Sequence, residues 1–218
     1  MEIERVTWGK MQNPIRGVLH GSAALVAAIG LAVLVLLAAD DRILLPGVAL
    51  FGLALVAMFS ISALYHSVPW TEAWKRRMQR LDHSAIFVVV AATFTPLALA
   101  ALEGVALVAG LTLVWGIAVV GIVLKFALAQ PRTPVSVALQ MTMGWSALVW
   151  MPWFTERLGW GAVALILAGG LCYTLGTVVY ALRRPRLFPR TFGYHELFHV
   201  LVIGGAGFHY WAIAAVVA

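Results

Sequence analysis

The chain is short of cysteine and of charge. Its 218 residues include one cysteine, Cys172, set inside an apolar run. A single cysteine excludes an intramolecular disulfide and a cysteine-based metal site. Cys172 reads instead as a small buried apolar residue. Charged residues make up 11% and hydrophobic residues 62% of the chain, where a soluble domain carries about 25% charged residues. Several apolar runs exceed the ~20 residues needed to cross the hydrocarbon of a bilayer, which excludes an orthodox soluble core. The period-2 alternation of a membrane barrel is missing. So are internal repeats and low-complexity linkers. The first apolar run is too long for a signal-peptide core and reads as a retained spanning helix. Residues 1–218 therefore read as a single all-α integral membrane domain.

Hydropathy places seven spans at about 16–39, 43–65, 83–102, 105–128, 134–152, 160–182 and 194–217. Thirteen of the fifteen lysines and arginines then fall on one side of the membrane: Arg5, Lys10, Arg16, Lys75, Arg76, Arg77, Arg80, Lys125, Arg132, Arg183, Arg184, Arg186 and Arg190. Arg42 and Arg157 fall on the other. The positive-inside rule puts the N-terminus in the cytoplasm and the C-terminus outside. An even number of spans spoils this sorting. The net charge of +6 thus reflects topology and contact with anionic lipid headgroups, and does not argue for a nucleic-acid partner. Pro96 and Pro152 read as kinks or helix ends, and Pro185 and Pro189 stop the sixth helix. Gly17 and Gly21 form a step that lets a neighbouring helix approach closely.

Ionisable side chains within such spans are the candidates for function. His195 and His199 lie four apart at the head of the last helix, on one face and ~6 Å apart along the axis. His66 closes the second helix, with Ser62 one turn deeper on the same face, and Asp82 opens the third. All five fall in one layer near the cytoplasmic face. Three neutral imidazoles with one open position describe a catalytic zinc site, in which the ion lowers the pKa of a water to about 7. Asp82 would serve as general base or outer partner for that water. Ser62 would hydrogen-bond the water or a reacting carbonyl.

Each residue also has a plainer reading. The histidine pair can be capping or interfacial, Ser62 can bond its own helix backbone, and Asp82 can be no more than an N-cap. His83 points about 100° away from Asp82 and reads as interfacial, and His20 as a helix–helix hydrogen bond. His209, ~15 Å beyond His199, reads as a packing residue. Glu196 lies about 100° from each flanking histidine and need not face a metal.

Taken together, three motifs resemble those of the hemolysin III family. They are Ser62-x-x-x-His66, the stretch Arg80-Leu81-Asp82-His83-Ser84-Ala85-Ile86-Phe87 running on to Thr93-Phe94-Thr95-Pro96, and His195-x-x-x-His199 with His209 following. That family is the bacterial branch of the progestin and adipoQ receptor family, which includes the adiponectin receptors. The resemblance spans the chain and implies a zinc ion held by His66, His195 and His199, with Ser62 and Asp82 matching the family's serine and aspartate. Asn13 and His20 fit the pattern. The acidic residue that bacterial members usually carry before the first helix is absent, the region reading Lys10-Met11-Gln12-Asn13. Related proteins, including alkaline ceramidases, hydrolyse lipid amides.

Three functions follow as expectations. The first is a zinc-dependent hydrolase of a lipid amide or ester, its acyl chain lying in an apolar cavity within the bundle. The second is a non-catalytic sensing or membrane-homeostasis protein with structural zinc. The third is a pore-forming or cytolytic protein, for which the spans offer little charge to line an aqueous path. The expected location is the bacterial inner membrane, and the expected partner a membrane lipid.

Overall fold

Backbone polar groups in hydrocarbon must be satisfied within their own segment, so long apolar runs fold as helices. The computed structural model describes residues 11, 13–127, 133–188 and 191–218. Arg5, Lys10, Gln12, Pro131, Arg132, Pro189 and Arg190, which entered the reading of topology, helix ends and family pattern, lie outside the described residues. The described chain forms α1 (Pro14–Leu37), α2 (Leu44–Ser67), α3 (Glu72–Ala101), α4 (Gly104–Ala127), α5 (Thr133–Trp145), a 3₁₀ segment (Ser146–Trp150), α6 (Met151–Leu182) and α7 (Tyr194–Val217). No strand forms among the described residues. Six helical stretches are long and apolar enough to cross a membrane, one of them the 49-residue stretch Pro134–Leu182.

The helix α3 is the axis of the bundle. It packs against α2 and α4 on its flanks and touches α5, α6 and α7 as well. Of its most apolar 18-residue window 72% is buried, against 17% for α1, whose Leu25, Val26 and Ile29 face outward. Small residues allow this crowding. Gly121 of α4 lies against the fully buried Phe87, and Gly47 of α2 lies against the backbone of Pro96. Pro96 takes a hydrogen bond out of α3. Around it, Thr93 Oγ1 donates to Val89 O at 2.7 Å and Thr95 Oγ1 to Ala91 O at 2.8 Å, keeping both hydroxyls on their own helix.

Three boundaries differ from those that hydropathy marks. Helix α3 starts at Glu72, within the stretch read as a polar loop. Glu72–Leu81 is rich in helix formers and continues the apolar helix as a polar extension, which an apolar window cannot see. Pro152 begins α6 instead of ending a span, its missing N–H costing nothing in a first turn. Glu156 and Arg157 lie within helix, and the break falls at Gly159, whose φ of 80° and ψ of 165° suit glycine alone. Arg157 Nη2 lies 3.4 Å from Glu103 Oε1 of the α3–α4 turn, so that turn and the first turns of α6 share one end of the bundle. At that end too, Asp41 Oδ1 accepts the N–H groups of Ile43 and Leu44, both at 2.9 Å, opening α2.

The Gly17–Gly21 step does admit a neighbour. Gly17 faces Ser67 and Gly21 faces Ala63, both near the end of α2. Helices α6 and α7 interlock more deeply. Gly169 of α6 receives the ring of His209, and Gly205 of α7 receives the ring of Tyr173. Each helix thus contributes one notch and one ring, four residues apart.

Candidate metal centre

The opposite end of the bundle collects the histidines. Helix α2 ends there, α1 and α7 begin there, and α3 passes through. Ser62 and His66 sit one turn apart on α2, and both are buried. Gly193 N–H donates to Glu196 Oε2 at 2.8 Å, which closes the first turn of α7 and fixes the direction in which His195 and His199 point. Glu196 Oε1 accepts from Arg16 Nε at 2.7 Å. Asn13 N–H donates to His66 O at 3.0 Å, tying the start of α1 to the last turn of α2.

The three imidazoles form a near-equilateral group. Ring centroids are 5.2 Å apart for His66–His195, 4.9 Å for His66–His199 and 5.0 Å for His195–His199. One nitrogen from each lies within 4.8 Å of the others, and among the described residues no other trio of metal-binding side chains does this. Buried His199 Nδ1 has no hydrogen-bond partner among the described residues. Buried polar atoms left so are rare and costly, and a coordinated cation relieves that cost for an imidazole group. The arrangement could hold a metal ion, and an all-imidazole donor set suits zinc as well as other first-row ions.

Asp82 of α3 and Ser62 of α2 line the same cavity as this group. The two side chains and the three histidines line one cavity of about 230 Å³. Its deeper walls are apolar, with Met58, Val89, Phe94, Met143, Phe154 and Val202 among them.

The remaining histidines take distinct places. His20 is buried against His199, ring centroids 3.9 Å apart, and against Phe59 at 5.1 Å. It is a packing neighbour of the trio and not a member of it. His209 is buried and its Nε2–H donates to Ile166 O at 3.2 Å, so it holds α7 to α6, in keeping with a packing role. His83 faces α4, where its Nδ1 lies 3.4 Å from Lys125 Nζ, and it lines the cavity instead of the membrane interface.

Two functional-looking groups escaped the sequence. Arg16 and Glu196 form a buried ion pair, whereas charge counting reads Arg16 as a flanking cation. Lys125, read the same way, is 3% exposed. The signal available was the helical phase of Glu196, which turns it off the histidine face and toward another helix.

The fold and this end of the bundle define a class: a multi-pass helical membrane protein with an imidazole trio set into the wall of an internal cavity. More narrowly, the chain belongs to the family described as haemolysin-III related, whose sequence model matches residues 8–210. It is 26% identical over 196 residues to the hemolysin-3 homolog of Bacillus subtilis (strain 168), covering 89% of each chain. It is 25% identical over 214 residues to hemolysin-3 of Bacillus cereus, covering 97% of this chain and 94% of that one. A eukaryotic relative is heptahelical transmembrane protein ADIPOR2 of Oryza sativa subsp. japonica, 33% identical over 150 residues, which are 62% of this chain and 65% of that one. The family resemblance carried by the three motifs is thus borne out.

Proposed function

We propose that the chain is a zinc-dependent hydrolase of a lipid amide or ester, acting in the bacterial inner membrane. The observation that carries this reading is the placing of His66, His195 and His199, with Asp82 and Ser62, on the wall of a largely apolar cavity. The three imidazoles hold the ion. When bound, such an ion supplies Lewis acidity toward a carbonyl oxygen and makes water nucleophilic at neutral pH. Asp82 takes the proton of the attacking water and returns it to the departing nitrogen or oxygen, as the new C–O bond forms and the C–N or C–O bond breaks. Ser62, on the same cavity wall, hydrogen-bonds the water or the reacting carbonyl. The apolar walls take the acyl chain and keep bulk water off the carbonyl.

The topology that goes with this reading has seven spans, N-terminus in the cytoplasm and C-terminus outside. The 49-residue stretch Pro134–Leu182 would be ~70 Å long as one straight helix, over twice the hydrocarbon thickness. Two spans separated by the break at Gly159 fit it better. The printed name of the Oryza sativa relative, heptahelical, agrees with that count.

A second reading keeps the ion but not the turnover. Helices α2 and α7 meet at few places besides the imidazoles, so an ion there would staple two helices that otherwise hold each other weakly. The experiment that tests the first reading is elemental mass spectrometry beside hydrolysis of a long-chain N-acyl amide, on detergent-purified wild type, His66→Ala and His199→Ala. About one zinc per chain and release of fatty acid, both lost in each variant, are expected. Zinc without hydrolysis leaves the staple. A folded wild type without metal ends both readings.

A further inference from the structure

We propose that Lys125 forms an anion-binding subsite in the wall of this cavity, selecting an amphiphile whose headgroup carries a phosphate or carboxylate. The last turn of α4 carries Lys125, and its side chain lines the cavity while being almost fully buried. Its ammonium nitrogen lies 3.4 Å from His83 Nδ1, a nitrogen that can accept a hydrogen bond but cannot balance a charge. Among the described residues no carboxylate pairs with it. A buried cation without a counter-charge is costly, and an anionic ligand removes that cost.

The neighbours complete a cradle. Ser136 and Gln140 lie one turn apart on α5, and both line the same cavity as Lys125. Ser136 Oγ is buried and has no hydrogen-bond partner among the described residues. Gln140 Nε2 donates to His83 O at 3.3 Å, holding the α3 wall in place. A phosphate or carboxylate oxygen can accept from both the ammonium and the hydroxyl. A neutral or cationic headgroup leaves the lysine as it was.

Consecutive residues of α3 divide the polar end of the cavity. Asp82 lines the cavity with Ser62 of α2 and the imidazole trio, while His83 turns toward Lys125 of α4. A ligand in the cavity therefore meets the trio on one wall and a fixed cation on another. The inference rests on the cavity being a lipid-binding space, and it requires neither metal nor turnover.

The test uses the full chain in a neutral maltoside detergent, stripped of metal by chelator and dialysed, so that no ion at the imidazoles can recruit phosphate. Dodecyl phosphate, uncharged dodecanol and inorganic phosphate are titrated against thermal unfolding. Wild type is expected to bind dodecyl phosphate about ten-fold or more tighter than dodecanol, the range of a charge-assisted contact. Lys125→Met is expected to abolish that preference and Lys125→Arg to keep it. Should Lys125→Met not fold, Ser136→Ala serves, with a preference reduced by about three-fold. Equal binding of the two tailed probes by wild type, or an undiminished preference in Lys125→Met or Ser136→Ala, overturns the subsite. Inorganic phosphate binding as tightly as dodecyl phosphate overturns the amphiphile as ligand. Failure of both tailed probes to bind overturns the lipid-binding cavity itself.

Discussion

Arg16 of α1 donates its Nε–H to Glu196 Oε1 at 2.7 Å, joining the first turns of α1 and α7 inside the bundle. Both residues are buried, so neither charge is shared with bulk water. Glu196 stands between His195 and His199 in sequence while its other oxygen closes the turn that carries them. The pair therefore sets how α7 presents its histidines.

Removing one partner is the damaging change, because it takes a charge-assisted bond from a buried charge. Arg16→Met and Glu196→Gln are each expected to destabilise by about 3 kcal/mol or more. The double variant should lose less than the sum of the two. Thermal unfolding of the four proteins in one detergent measures that coupling, and additive losses would mean that the pair contributes nothing.

Chelation separates the trio from its surroundings. A metal bound only by the folded protein stabilises it by about 2.7 kcal/mol at a hundred-fold excess over Kd, and so raises its melting temperature. A chelator is expected to lower the melting temperature of wild type and to leave that of His199→Ala where it was. An identical response from both would place the metal elsewhere.

Asp82→Asn keeps the size of the side chain and removes its basicity. Zinc content should stay near wild type, while hydrolysis of an N-acyl amide falls by at least about a hundred-fold. Full activity in this variant would remove Asp82 from proton transfer.

The interlock of α6 and α7 is open to direct test. A Cβ at Gly169 would meet His209 Cε1 at 2.7 Å, and one at Gly205 would meet Tyr173 Cε1 at 2.6 Å. Gly169→Ala and Gly205→Ala are each expected to cost about 1–3 kcal/mol by overpacking. Gly204→Ala, next to the second notch but with open space around it, is the control and should be near neutral. Equal stability in all three would mean that the rings shift aside freely.

Filling the cavity should separate binding from folding. Val202 lies one turn beyond His199 on α7 and lines the cavity. Val202→Phe is expected to retain zinc and helical content while losing binding of dodecyl phosphate by about ten-fold or more, as the ring takes the space of the chain. Unchanged binding would put the chain in another part of the cavity.

Much of the candidate site was legible because ionisable residues are conspicuous in apolar spans. His66, His195 and His199 could be placed at one depth by counting residues from helix ends, and the structure brings them within reach of one another. Depth is what hydropathy supplies; rotation about the helix axis is not. Arg16 and Lys125 were therefore read by side alone and counted as flanking cations, whereas packing turns both inward. The polar start of α3 was missed for a related reason. Glu72–Leu81 has no apolar stripe strong enough to mark a helix, and its helicity follows from the apolar length it extends. The break at Gly159 depends on a backbone angle open to glycine, and Gly161 close by is an equally good candidate from sequence.

The imidazole trio is split between the second helix and the last one. During synthesis, from N- to C-terminus, His66 enters the bilayer early and stays without its partners until α7 has left the ribosome. Four α-helices, α3 to α6, are made between the two halves of the group. Assembly of the imidazole group is thus the closing step of the protein's biogenesis, and a ribosome that stalls before Tyr194 leaves a chain with one imidazole of the three.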